Sequence, residues 1–277
     1  MVTGAHGRSE QCCRRRSKRT ALPSGKAVPK FLCSAVLLLV ALSHAQPSFA
    51  GGCYPFQASL FPPLQIAPRD ESVCGARLDL LWGQNASVNG LDAGIVNVAD
   101  SMKGLEVGGL NWLWGQERSD SWGIRIGGIN YTGHASFAGA QFGLINTGSF
   151  LASEASLAGV QVAGINLYVG SVSGTQFGLV NAAGGLSGLQ VGFVNNSADD
   201  VRGVQVGIFV NDTSGDVRGA QISLIGNEAI KDVYGVQIGL INVCHSLSGV
   251  QIGALNVVTS RFPNKGLFIS PLINVGF

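Results

Sequence analysis

Gly188-Leu189-Gln190-Val191-Gly192-Phe193-Val194-Asn195 decides how this chain is read, because the same phrase returns along most of its length. Gly235-Val236-Gln237-Ile238-Gly239-Leu240-Ile241-Asn242 is a second copy. The units start at Gly90, Gly104, Gly123, Gly139, Gly159, Gly174, Gly188, Gly203, Gly219, Gly235 and Gly249, 14 to 20 residues apart. Worn copies flank the array at Gly75 to Trp82 and at Gly266 to Asn274. Self-similarity at such a period marks a repeat architecture, in which each unit needs its neighbours to bury its apolar surface.

Within a unit, numbered from its first glycine, position 1 is always Gly. Position 3 is Asp92, Glu106 and Arg125 in the first three units, then Gln141, Gln161, Gln176, Gln190, Gln205, Gln221, Gln237 and Gln251. Position 5 is Gly except at Ala163 and Ser223, and position 8 is Asn except where the Asn comes one residue late, at Asn211 and Asn227. That late arrival reads as a β-bulge. An apolar residue stands two before the first glycine in every unit but one, where Ser121 replaces it. Two glycines per unit, each costing ~1 kcal/mol in a helix, exclude helix. Alternating apolar residues bounded by Gly, Asn, Asp and Ser read as strands. Each unit is therefore expected to be one strand of about ten residues plus a short turn.

Two architectures fit an all-β chain of this kind. The first is an antiparallel up-and-down β-barrel of about 12–14 strands built from ~15-residue repeats. The unit is nearly palindromic about its Gln, so a reversed neighbour sets Gly on Gly and Gln on Gln. Alternate connections differ in length, and the chain closes on Ile273, Val275 and Phe277 in steps of two, which looks like an outer-membrane assembly signal read by barrel-assembly machinery. The alternative is a parallel β-solenoid with one coil per unit and stacked Gln and Asn ladders. The apolar band of a unit spans only ~13–17 Å at ~3.3 Å per residue, short of the ~25 Å of a lipid-facing barrel. The barrel is the leading expectation.

Outside the array, residues 1–50 read as a secretory signal: a basic stretch, the apolar run from Phe31 to Leu42, then Ser48-Phe49-Ala50 as a cleavage site. The run is too short to span a bilayer as a helix. Residues 51–74 form a Pro-rich entry segment, with Pro62, Pro63 and Pro68 opposing both helix and central strand. Residues 75–277 are one repeat β domain. Cys53 either pairs with Cys74, as an exported chain allows, or is acylated, because Ala50-Gly51-Gly52-Cys53 loosely resembles a lipoprotein box. The net charge of +2 comes from the basic leader, so no nucleic-acid footprint is expected in the remainder.

The chain resembles bacterial surface-repeat proteins, signal-bearing chains with tandem Gly-x-Gln-x-Gly-x-x-Asn units. The resemblance runs from Pro62-Pro63-Leu64-Gln65 through the array to Pro271-Leu272-Ile273-Asn274-Val275-Gly276-Phe277. It implies export to an outer membrane or cell surface, and it brings no reaction, cofactor or catalytic residue with it.

The residues themselves suggest no chemistry either. His134 and His245 fall in turns, no CxxC or metal spacing occurs, and the phosphate-loop pattern is missing. Arg77, Asp79, Glu106 and Arg125 form either a charged luminal patch or a mutually paired set. Trp82, Trp112, Trp114, Trp122 and Tyr131 suit either a membrane interface or a capped solenoid end. The expectation is a non-enzymatic envelope protein without cofactor: an outer-membrane barrel with a structural or weakly selective pore role. The alternative is a surface solenoid binding a protein or glycan partner through its Gln and Asn ladders.

Overall fold

The computed structural model describes residues 52–115, 120–134, 136–148, 156–168, 170–259 and 266–277. The expected signal segment 1–50 lies outside the described residues. Among the described residues the regular structure is all strand. Each repeat stacks on the one before it in the same direction and at the same position. Gly188 pairs with Gly203, Gln190 with Gln205 and Asn195 with Asn211, and the same parallel register recurs along the array. The fold is a parallel β-solenoid.

The expected antiparallel barrel is thus corrected to the alternative. Like meets like here by translation, not by reversal, and a near-palindrome satisfies both. The deciding feature is that a unit is not one straight strand. Ser171–Phe177 and Val180–Ala183 are separate strands of one coil, joined by a bend at Gly178-Leu179. Bends recur at Leu224-Ile225 and Gly239-Leu240. Each coil therefore has a long limb, from the apolar residue before the first glycine to position 4, and a short limb carrying the Asn.

The glycines have two different reasons. Position 1 takes φ between +134° and +151° in all eleven coils, a region essentially confined to glycine. A Cβ at Gly203 would also sit 2.0 Å from the carbonyl oxygen of Gly188 in the preceding coil. Position 5 lies at the bend, where a Cβ on Gly127 would crowd the Asn111 amide at 2.7 Å. The late Asn residues take up an insertion at the same corner, where the register shifts between Gly207 and Val210.

The long limb turns its first apolar residue inward, and the short limb turns inward the residue two past the Asn. These meet in one buried cluster that includes Met102, Phe137, Leu157, Val201 and Val233 from the first set with Leu113, Tyr168, Cys244 and Val258 from the second. Both ends of the stack are covered. Cys53–Phe61 pairs parallel to the strand beginning at Ser72 and is itself paired with Leu64–Gln65. At the far end Phe268–Gly276 runs antiparallel to Ile241–Val258. These strands cover the terminal coils, and the far edge strand carries Pro271, which cannot donate to an added strand. Cys53 and Cys74 form a disulfide with Cα atoms 5.8 Å apart.

Candidate functional site

Beside the apolar cluster, half of the interior is polar. All eight repeat glutamines are fully buried, as are the repeat asparagines. The Gln205 Nε2 donates to Gln190 Oε1 at 2.8 Å, and Gln221 Nε2 donates to Gln205 Oε1 at 2.9 Å. The ladder continues in this sense from Gln251 back to Gln141, and Asn274 of the final strand donates to its last carbonyl, Gln251 Oε1. The asparagines donate the other way along the axis, Asn195 Nδ2 to Asn211 Oδ1 at 2.8 Å. Their direction is fixed by the backbone, since Asn195 Nδ2 also donates to the Val206 carbonyl at 2.9 Å. Buried amides cost little only when paired, and the stack pairs them by repetition. The ladders therefore face inward and bond one another and the opposite limb, as Gln221 does with Thr213 Oγ1 at 3.1 Å. A Gln-lined pore and a partner surface made of these ladders are both corrected by that placement: the amides fill the interior and are taken.

The first coils fill the Gln position with charge. Arg77 donates to both Asp92 oxygens, at 2.8 and 2.5 Å, and lies 3.1 Å from Asp79. Arg125 donates to Glu106 at 2.5 Å and to Thr132 Oγ1 at 3.0 Å. All five are buried, so the mutually paired reading holds over a luminal patch. Burial pushes the Asp79 carboxyl up to about 7 against the pull of Arg77, with Asp92 adding to the rise. Burial also raises Glu106, opposed by Arg125 and reinforced by Asp92. For Arg77, burial works downward, and the carboxylates of Asp92, Asp79 and Glu106 outweigh it to hold the guanidinium above its usual range. Three carboxylates against two guanidinium groups leave one acid in excess, and Asp79, whose oxygens lack a hydrogen bond, has little to oppose the rise that burial imposes.

The remaining sequence candidates scatter. His134 is exposed, and His245 is exposed with Nδ1 3.2 Å from Thr259 Oγ1. Cys244 is a free, buried core residue whose thiol burial pushes up to about 12. Ile273 and Val275 are exposed on the final strand and Phe277 just past its end, and Ile273 and Val275 stand opposite Ile252 and Val250. Among the described residues no cluster of His, Cys, Asp and Glu has the makings of a metal site.

What the repeat pattern leaves outside is apolar. Positions 2 and 4 point outward on either side of the buried Gln, as Ile124 and Ile126 do around Arg125. Position 6 stands at the bend and carries the most exposed side chains where it is leucine: Leu144 and Leu224 are 73% exposed, Leu179 56% and Leu240 54%; it is Gly109, Gly128, Gly164 and Ala254 in four other coils. The opposite edge of the coil, where one repeat turns into the next, carries Asp100, Asp199, Asp200, Asp216, Lys231 and Asp232, with Arg202 and Arg218 beside it just before a first glycine. There Asp200 accepts the Asp216 N–H at 2.9 Å and Asp216 the Asp232 N–H at 3.3 Å. The coil is thus amphipathic in cross-section: an apolar ridge along the bends, a charged edge along the turns. A period-two reading shows that positions 2 and 4 oppose position 3, but only the bend at positions 5 and 6 gathers the apolar positions into one ridge.

Aromatic residues mark the flanks between ridge and charged edge. Trp112 stacks on Trp114 at 5.8 Å and meets Tyr131, one coil on, at 4.4 Å. With Trp82, Gln84, Val96, Val98 and Leu110 they line a groove of about 330 Å³. Trp122 and Tyr234 are exposed just before the first glycine of their coils. Comparison with family models, with curated proteins and with solved structures finds no match for the chain.

Proposed function

We propose that this chain is an exported, non-enzymatic β-solenoid displayed at a cell surface, a rigid rod that docks on a partner through its apolar ridge. The observation that carries this reading is how polarity is divided: beside its apolar cluster the interior is filled by amides paired with one another, while a second set of large aliphatic side chains, Leu144, Leu179, Leu224 and Leu240 among them, stands outside. The ridge spans eleven coils at ~4.8 Å each and about five residues in width, an apolar strip on the order of 800 Å². Exposed patches beyond a few hundred Å² mark interaction sites. The polar side chains that catalysis would need are bonded to one another inside, which supports binding over turnover. The Gln and Asn ladders are enclosed, so docking on a partner falls to the outer surface.

Intact bacterial cells producing the full chain test this with a membrane-impermeant amine reagent. Lys103 and Lys231, both exposed, are expected to react before lysis. Replacing Leu144, Leu179, Leu224 and Leu240 with Gln is expected to release the chain from the cell surface while its strand signal in circular dichroism is unchanged. Lysines that react only after lysis, or a variant that stays attached, would overturn the reading.

A further inference from the structure

We infer that the partner of the ridge is the acyl region of a lipid monolayer, in which the solenoid lies lengthwise without spanning it. This rests on the docking reading above and goes beyond it by naming what is docked on. Four features favour lipid over a second copy or another protein. The ridge is convex, since it is the outside of a bend repeated in every coil, with Leu144, Leu179, Leu224 and Leu240 at its crest. Two such crests touch along a line and bury little, whereas a fluid layer closes around a convex surface. Second, backbone bonds run from coil to coil along the flanks and continue at the bend, where the Leu179 N–H donates to Gly164, Phe193 to Leu179, Leu224 to Ile208 and Leu255 to Leu240, which meets at these positions the condition that lipid imposes on any element it contacts.

Third, the charged groups stand at the turns or on the flanks, Lys103, Arg202 and Arg218 just before a first glycine and Asp212 and Glu228 just past an Asn, so a rod sunk ~5–10 Å into the headgroup and acyl boundary holds them at the headgroups or in water. Fourth, aromatic rings stand at the two flanks between these zones. Trp112 and Tyr131 lie on the short limb and Trp122 and Tyr234 on the long one. That is the level at which amphipathic rings settle in a membrane interface. The charged edge carries more carboxylates than cations among its described residues. Attraction to anionic lipid therefore does not contribute, and binding is expected to rest on apolar burial alone.

The test mixes the full chain with phosphatidylcholine vesicles whose acyl chains are brominated near the headgroup. The four tryptophans, Trp82, Trp112, Trp114 and Trp122, all lie in the coils, so their quenching reports on the solenoid and ignores the apolar run 31–42. Quenching is expected, unchanged in 1 M salt and no stronger with anionic lipid. The Leu144→Gln, Leu179→Gln, Leu224→Gln, Leu240→Gln variant is expected to need at least about tenfold more lipid, because each change removes a large aliphatic side chain from the crest. Asp199→Asn with Asp216→Asn on the charged edge is expected to change nothing. No quenching, quenching only with anionic lipid, or a ridge variant equal to the native chain would each overturn the proposal. If the ridge variant leaves the cell surface while the native chain ignores vesicles, the partner is a protein and lipid docking alone falls. If vesicles quench the native chain but Lys103 and Lys231 stay unlabelled on cells, surface display alone falls.

Discussion

Two stretches of the same solenoid solve the same problem differently. From Gly75 to Thr132 the interior position is Arg77, Asp92, Glu106 and Arg125 in turn, and from Phe137 to Val258 it is Gln in every coil. The backbone does not distinguish them: Gly123 and Gly203 have φ of +137° and +144°. Strand register is likewise identical, Gly104 on Gly123 and Gly188 on Gly203. The coil is therefore set by its glycines and its bend, and the third position only has to pair with its neighbour along the axis. An amide does this with the same residue, because it is donor and acceptor at once. A charge needs an opposite charge next to it, so the charged stretch runs in pairs and cannot extend by simple copying.

Breaking one pair is expected to produce the largest loss. Arg125→Gln leaves Glu106 buried without its counter-ion, and ~3–5 kcal/mol of stability should disappear in urea unfolding. The double change Glu106→Gln with Arg125→Gln, which extends the amide ladder into the charged stretch, should recover most of that loss.

The next effect is a pH dependence confined to the charged stretch. Asp79 is raised from its usual 3.8 to about 7 in the folded chain. The folded state therefore holds a proton that the unfolded state has released, and its contribution is fully present below about pH 4. Stability then falls as pH rises toward 7, by up to ~4 kcal/mol at 1.36 kcal/mol per pH unit. Asp79→Asn should flatten this slope, as measured by urea midpoints between pH 4 and 8.

A change in the shared backbone should ignore the comparison altogether. Gly123→Ala and Gly203→Ala each strain a glycine-only φ and push a methyl against the preceding coil, 1.9 and 2.0 Å from a carbonyl oxygen. Both should cost ~3 kcal/mol, equally in the two stretches. Gly164→Ala, whose methyl would lie 3.2 Å from the Leu144 carbonyl, should be mild. Interrupting the ladder should cost less than straining a first glycine. Gln205→Leu leaves the Gln190 carbonyl and the Gln221 amide without a rung between them, and ~2 kcal/mol should be lost.

Much of this was legible in the residues. The repeat boundaries, the strand character and the choice between two sheets follow from the spacing of Gly, Gln and Asn. Strand direction does not follow, because a phrase symmetric about Gln190 pairs equally well with a copy turned either way. The corner at Gly178-Leu179 breaks that symmetry, and a corner is set by how Asn166 and Asn181 bond across coils, which a linear reading does not show. The ridge was hidden for the same reason. Leu144 and Leu224 read as one more apolar residue in a strand until the bend places them on the outside. The pairing of Arg77 with Asp92, 15 residues on, was open to either reading, and the stacking of coils decides it.

Spin labels at position 6 test the coil stack most directly. Label pairs at Leu144 with Leu224, Ile95 with Leu224 and Ile95 with Leu240 lie five, eight and nine coils apart, and electron–electron distance measurements should give ~24, ~38 and ~43 Å at ~4.8 Å per coil. Distances that level off or shrink between the first pair and the last would mean that the sheet closes on itself, and the solenoid account would be contradicted.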